Sequence, residues 1–392
     1  MKRINVVVQG LMLGHSGFAE ATRNIAYELD KYFTVKTIID DKATTNIDIN
    51  KSVKGKRIIE LQNTSIYERP IWITMTHPLG VHANLGYSIG YVMFETEKFP
   101  TVFVDNLMKQ DEVWCPSEFN LKNMKQAGLP EVYRMPLGVD LERFNPNTIE
   151  PLKVPDYLED KFIFLSIMGW SERKGVSLMT EAFCAEFTKD DDVALYIKGG
   201  WYDEFLARQE TQQIKDKFKN PPIIHIDFAT YPDSELPKLY QVCDCFVLAS
   251  KGEGWGLNYS EAMAMEKPTI GTRWSSQVDF MNDKNSYLIN LDKKEPTKID
   301  KRCNWICNEY IGEKFANPDK KHLRSLMREV FTNREEAKQK GKQARQDLQN
   351  NFTWEMAGEK YRDRILKISK DMVKFKIGYD LINNQINKTG GK

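Results

Sequence analysis

Residues 250–268 read SKGEGWGLNYSEAMAMEKP, and the fold turns on how this stretch is read. Gly252, Gly254 and Gly256 alternate directly ahead of an Ala/Met-rich run of helical character. A glycine loop that opens a helix leaves backbone N–H groups unpaired at the positive end of the helix dipole, an arrangement that suits an anion. Two acids, Glu253 and Glu261, stand in the same stretch with seven residues between them, and a phosphate would repel both. A carboxylate does accept well from the vicinal hydroxyls of a ribose. Glu261, one turn inside the helix, then suits a ribose, Glu253 in the loop a sugar hydroxyl, and the N–H groups near Gly256, Leu257 and Asn258 a phosphate. The plainer alternative makes Glu261 an exposed helix acid and Glu253 a solubilising loop residue.

Working outward, the stretch closes a series of short apolar runs: FIFLSIMGW, VALYIKGG, PIIHIDF and CFVLAS before it, PTIGT and SYLINL after it. Helical periodicity fills the gaps at residues 176–187 and 234–242. The first half repeats the alternation with INVVVQG, FTVKTII, IWITMTH, IGYVMF and EVWCPS. Such runs separated by helices predict parallel strands with crossover helices. Between the two series lies PLGVDLERFNPNTIEPLKVPDYLED, proline-spaced and unpatterned, which reads as a linker. The expected class is α/β, with two doubly wound, Rossmann-like domains spanning residues 1–145 and 146–354. Ligands of such sheets bind beyond the carboxyl ends of the strands, so two rows of loops are expected to face one cleft.

A chain of 392 residues exceeds one ordinary core and agrees with two domains. Its 56 basic and 55 acidic residues leave a formal charge of +1, which gives no polycationic surface for nucleic acid. The basic cluster KSVKGKR at residues 51–57 reads as a solvated loop between strands. Cys243 and Cys245 alternate across a strand, and Cys303 and Cys307 share a helical face without a second Cys/His pair. No metal site is expected from either pattern. MKRINVVVQG runs into a strand without a signal-peptide pattern, and no apolar run has the length of a membrane span. A cytoplasmic protein is expected, with a peripheral place at a membrane left open.

Two further loops carry candidate chemistry. GLMLGHSG, residues 10–17, sets Gly14, Ser16 and Gly17 at the entrance of the first helix. It is either a tight strand-to-helix turn or a contact for phosphate or sugar hydroxyls. MGWSERKG, residues 168–175, sets Arg173 and Lys174 in a strand-end loop, where two cations either neutralise a diphosphate or form a surface pair.

Taken with these loops, the acid–seven–acid stretch resembles the signature of retaining group 1 glycosyltransferases (family 4, GT-B fold). PSEFNLKNMKQAG, PLGVDLERFNP, RKGVSLMTEAF and YPDSELPKLYQVCDCFVLAS resemble further segments in the same order, across roughly residues 1–370. The resemblance implies a nucleotide-sugar donor, with Glu261 on its ribose, Glu253 at its hexose, and Arg173 and Lys174 on its diphosphate. Backbone amides of Gly256 and Leu257 would meet phosphate or sugar, and Gly254 and Asn258 would line the same donor site. His77 in MTHPLG resembles the family's cleft histidine, with a satisfied loop histidine as the alternative; His82 and Glu95 are lesser candidates. A C-terminal helix at about residues 355–392 is expected to pack back on the first domain. Two departures stand out: Trp170 occupies a position where the family often has Arg, and Glu266 one where it often has Gly.

The function expected is metal-independent, retaining transfer of a sugar to an acceptor hydroxyl, with no cofactor besides a uridine- or guanosine-diphosphate sugar as substrate. No Asp-x-Asp metal motif stands at the carboxyl end of a strand. A non-catalytic nucleotide-sugar-binding or scaffold subunit, and a sugar-nucleotide epimerase, remain the alternatives. The acceptor (glycan, lipid-linked, small molecule, protein or nucleic acid) and the oligomeric state stay open.

Overall fold

The computed structural model describes residues 4–40, 49–66, 69–200, 202–292, 297–298 and 313–389. Cys303 and Cys307 lie outside the described residues; Cys115, Cys184, Cys243 and Cys245 are buried free thiols.

Six strands form the first sheet: β1 (Asn5–Gly10), β2 (Thr34–Ile39), β3 (Ile71–Met75), β4 (Tyr87–Tyr91), β5 (Glu112–Cys115) and β6 (Val132–Arg134). Its order is β2-β1-β3-β4-β5-β6, and every pairing is parallel. Helices α1 (Gly17–Asp30), α2 (Val53–Glu60), α3 (Thr101–Leu107) and α4 (Glu118–Gln126) make the crossovers. The second sheet holds β7 (Phe162–Ile167), β8 (Val193–Lys198), β9 (Ile223–Asp227), β10 (Cys245–Leu248), β11 (Thr269–Thr272) and β12 (Tyr287–Ile289). Its order is β12-β11-β10-β7-β8-β9, again all parallel. Around it lie α5 (Val176–Glu186), α6 (Glu204–Lys215), α7 (Leu236–Val242), α8 (Leu257–Ala264), α9 (Lys320–Thr332) and α10 (Arg334–Asn351).

The central strands are largely apolar because both faces are covered: β10 and β11 are buried at every position. The strand order reverses between β1 and β3 in one sheet and between β7 and β10 in the other. Adjacent crossovers there leave to opposite faces, and a crevice opens at the carboxyl ends of the strands.

Three expectations change. KSVKGKR is not a loop: most of it lies in α2, whose N-cap Ser52 Oγ accepts from Gly55 N–H at 2.9 Å. Ile58 is fully buried, so an apolar stripe outweighs the basic residues around it. The proline-spaced segment after β6 is packed, not free, since Leu137, Val139 and Phe144 are buried. Arg345 of α10 donates to the carbonyls of Phe144 and Leu141, at 2.6 and 3.1 Å. β6, three residues at the sheet edge, escapes the apolar-run reading. Glu266 adopts φ 55°, the left-handed turn that the usual glycine would take without strain.

The last helix, α11 (Trp354–Thr389), runs from the end of α10 onto the first sheet. There Tyr361 stacks on Trp114 at 5.8 Å, and its hydroxyl donates to the carbonyl of Pro136 at 2.6 Å. Among the described residues no helix is long and apolar enough to cross a membrane.

Candidate active site

The loops after β7 and β10 flank the reversal point of the second sheet, and they bring Arg173, Lys174 and Glu253 together. Lys174 Nζ donates to both Glu253 oxygens, at 2.7 and 2.8 Å. Arg173 Nη1 donates to the carbonyl of Gly252 at 2.5 Å and lies 3.6 Å from Glu253 and 3.7 Å from Glu95. Burial alone would raise the Glu253 carboxyl, but Lys174 and then Arg173 outweigh it and hold it below the usual carboxylate range. Lys174 is shifted down: burial disfavours its charge, Glu253 returns part of the loss, and Arg173 repels it from close by. Two cations thus share one buried carboxylate, with Glu95 from the first sheet as a second counter-charge.

The loop bearing Glu253 is fixed by backbone strain and close packing. Ser275 sits at φ 67°, an uncommon conformation for a side-chain-bearing residue, and from there its Oγ accepts the Glu253 N–H at 2.9 Å. Gly252 lies so near the first sheet's loops that a Cβ would stand 2.4 Å from the Glu95 carbonyl, and one on Gly254 would stand 2.8 Å from Met93 Cβ. Gly256, at φ 95°, turns the chain into α8 without a side-chain cap. The N–H groups of Leu257 and Asn258 therefore open this helix with no acceptor among the described residues.

Glu261 lies on the next turn of α8 and is buried. Tyr240 on α7 donates to its Oε2 at 2.7 Å. Burial raises this carboxyl to about 7; Arg143 and Tyr240 act against the rise, whereas Glu20 and Asp233 add to it. Around it runs a network that joins the two sheets. Arg143 donates to Glu20 at 3.1 Å and to the carbonyl of Asp233 at 2.9 Å. Arg23 donates to Glu20 at 2.6 Å, and His15 lies 3.7 Å from Asp233. Burial opposes the Glu20 charge, but Arg143, Arg23 and Lys54 hold its carboxyl at about 2.

The first glycine loop reaches the same place. A Cβ on Gly17 would stand 3.5 Å from Leu257 Cδ1, and one on Gly14 would meet little else. Ser16 caps α1, accepting from Ala19 N–H at 3.2 Å, and the Gly14 carbonyl accepts from Arg23 at 3.0 Å. His77 follows β3, edge-on to Phe103 at 5.1 Å, with Nδ1 accepting from Leu79 N–H at 3.4 Å. His82 is exposed. Trp170 turns away from the cations: it is buried, and its Nε1 donates to Glu210 on α6 at 3.0 Å. Asn258 points its amide at the carbonyl of Ile167, tying the first turn of α8 to the end of β7. An open groove of about 910 Å³ lies elsewhere, beside Asn282, Lys284 and Glu336, and includes none of these residues.

Sequence reading passed over Arg143, Asp233, Glu20 and Tyr240. Each sits in a segment without spacing of its own, and their contact follows only from the fold. Glu95, a lesser candidate, stands nearer the cations than its loop suggested.

If a ribose hydroxyl donates to Glu261, its carboxyl must be ionised to accept well. Donor affinity should then be level above pH 7 and fall about tenfold per pH unit below it. Stability runs the other way. The folded carboxyl is raised above its unfolded value, so its contribution is fully present below that value and is lost as pH rises through about 7. Titrating nucleotide affinity between pH 5.5 and 8.5 (about half a unit per step) checks the first trend. A Glu261→Gln variant should flatten it, and a flat wild-type profile would remove Glu261 from the site.

The profile of the family described as glycosyl transferases group 1 matches residues 159–306, the segment that holds Arg173, Lys174, Glu253 and Glu261. Mannosylfructose-phosphate synthase of Agrobacterium fabrum is 29% identical over 149 residues, 36% of this chain and 32% of that protein. The chain thus spans about a third of that relative's length. The sucrose-phosphate synthase structure from Thermosynechococcus elongatus superposes with a TM-score of 0.67 at 14% identity, covering 94% of this chain and 100% of the other. Anabaena HepE in complex with UDP and glucose gives 0.65 at 11% identity, with 93% and 100% covered. The fold is therefore GT-B, two Rossmann-like α/β units with their loop ends facing each other.

Proposed function

From the group 1 glycosyl transferase match and the site above, we propose that this chain transfers a sugar from a nucleotide-sugar donor to an acceptor hydroxyl, with retention and without a metal. The observation that carries the reading is the hold of Arg173 and Lys174 on the Gly252–Glu253 loop that leads into the open N-terminus of α8, at the reversal point of the second sheet. Cations and unpaired N–H groups on one loop-and-helix start suit the charge that grows on a departing nucleoside diphosphate. The Glu253 carboxylate holds Lys174 by two of its three N–H groups and leaves one for the ligand. Glu261 takes the ribose from the neighbouring turn.

In this reading the bond between the anomeric carbon and the phosphate oxygen breaks as the acceptor oxygen bonds to the same face. The acceptor proton passes to the departing phosphate oxygen, so no protein nucleophile is required. Glu253 positions Lys174 and accepts from a hexose hydroxyl. His77, at the carboxyl end of β3, stands on the acceptor side of the cleft.

Unfolding followed with UDP-, GDP- and ADP-sugars tests the donor site. The matching donor should raise the midpoint by mass action, about 2.7 kcal/mol at a hundredfold excess over Kd. No shift with any of them would sink the reading. A shift without transfer or hydrolysis, against a panel of glycan, lipid-linked and small acceptors, would favour a binding subunit.

A further inference from the structure

Lys198 ends β8 with no ion-pair partner among the described residues. Its Nζ donates to the carbonyl of the next residue, Gly199, at 2.7 Å and lies 5.8 Å from the Tyr231 ring centre. Asp227 and Glu204 favour its charge from beyond contact distance, yet burial prevails and lowers its pKa. Some half-buried lysines of this chain hold a carboxylate, as Lys54 does Asp140 at 3.1 Å and Lys251 does Glu172 at 2.6 Å, whereas Lys36 and Lys267, like Lys198, donate to backbone carbonyls. A partly desolvated cation whose one direct bond is to a neutral carbonyl is poorly compensated.

Its place explains what such a cation could meet. In the sheet register Lys198 lies between Ile167 of β7 and Asp227 of β9. The Ile167 carbonyl accepts from Asn258 in the first turn of α8, so Lys198 stands one strand, about 4.8 Å, from the residue on which that turn is anchored. Lys198 also acts on the charge of His15, which faces Asp233 across the cleft. With phosphate at the α8 N-terminus and ribose on Glu261, the base is the part of a nucleotide left to occupy the strand ends beyond.

Building on the donor-site reading above, we propose that Lys198 reads the nucleobase, donating to a carbonyl oxygen on its edge and so selecting a keto base, uracil or guanine, over adenine. An ammonium has three donors and no acceptor. Guanine O6 and the O4 of a uracil-type ring accept such a bond, whereas adenine presents an amino group at the equivalent position. With adenine both donors stay unpaired, and an unmade buried hydrogen bond lowers affinity by about tenfold or more.

Calorimetric titration of the full chain with UDP, GDP and ADP tests this, with wild type beside Lys198→Met and Lys198→Gln. Wild type should bind UDP or GDP about tenfold or more tighter than ADP. Lys198→Met should lose about that factor for the preferred diphosphate and stay within about twofold for ADP, so the preference collapses. Lys198→Gln, which keeps a neutral donor, should recover part of it. An equal loss for all three nucleotides would place Lys198 on the phosphates and overturn base reading. Unchanged affinities in both variants, or a wild-type preference for ADP, would overturn it as well. Failure of wild type to bind any of the three would instead take down the donor site, and this proposal with it.

Discussion

Lys174→Ala is expected to lower kcat/KM for sugar transfer by about 10²–10³, the cost typical of removing one preorganised charge donor from a developing anion. The loss should fall mainly on kcat, since the negative charge grows as the diphosphate leaves. The variant also takes the nearest partner from Glu253, whose side chain is 8% exposed, leaving Arg173 at 3.6 Å as the remaining cation in reach. Some stability will go with it, and the Glu253 carboxyl will be held less far down. The measurement therefore pairs initial rates with an unfolding curve taken under the same conditions. Lys174→Arg should not restore the rate, because the larger planar guanidinium would turn its fork to Glu253 and has to be seated in the buried space of one ammonium. If Lys174→Ala folds and turns over within about threefold of wild type, the cations do not face the leaving group, and the site built on them falls.

How much of this was legible follows from the kind of signal each part leaves in sequence. Strands covered on both faces must be apolar at nearly every position, so β7, β8 and β10 read directly as runs. β6 offers three residues at an edge, too few to separate from a loop. The α2 segment was misread because its lysines outnumber the single fully buried Ile58. The glycine loops were readable because backbone approach and reversed φ need glycine locally, and a local need leaves a local mark. The network around Glu261 leaves none. It joins residues 20, 143, 233, 240 and 261, and its members meet only after both sheets have formed and met. Lys198 was hidden for the same reason. A lysine at a strand end is unremarkable until the fold shows its one direct bond going to a neutral carbonyl.

Arg364→Met is expected to lower the stability of the first lobe by about 3–5 kcal/mol, the cost of stranding one partner of a buried ion pair. Arg364 on α11 donates through Nε to Glu112 Oε2 at 3.0 Å and through Nη2 to Oε1, with its guanidinium 3.5 Å above the Tyr133 ring. Glu112 on β5 is 1% exposed and also accepts from Tyr87 at 2.7 Å and Trp114 at 3.0 Å. Those two neutral donors cannot replace a cation, so the single variant leaves a carboxylate with no charge partner in its contacts. Over a unit of this size the unfolding midpoint should drop by about 10 °C. The double variant Arg364→Met with Glu112→Gln removes both charges and keeps a carbonyl acceptor for Trp114 and an amide donor for the Tyr87 hydroxyl. It should recover most of the loss, because a matched neutral replacement of a buried pair is often close to neutral. A drop of under about 2 °C in the single variant would show that the pair is not holding α11 to the sheet. The consequence extends past stability: α11 continues from α10 on the second lobe, and it crosses to the first through Trp354, which is buried. The contact at Glu112 therefore fixes one end of a strut between the lobes, whose loops must stay in register for Gly252 to rest on Glu95 and Gly17 on Leu257. Releasing it should raise KM for the donor more than it lowers kcat, since the cations and α8 stay together on one lobe while the opposing loops drift.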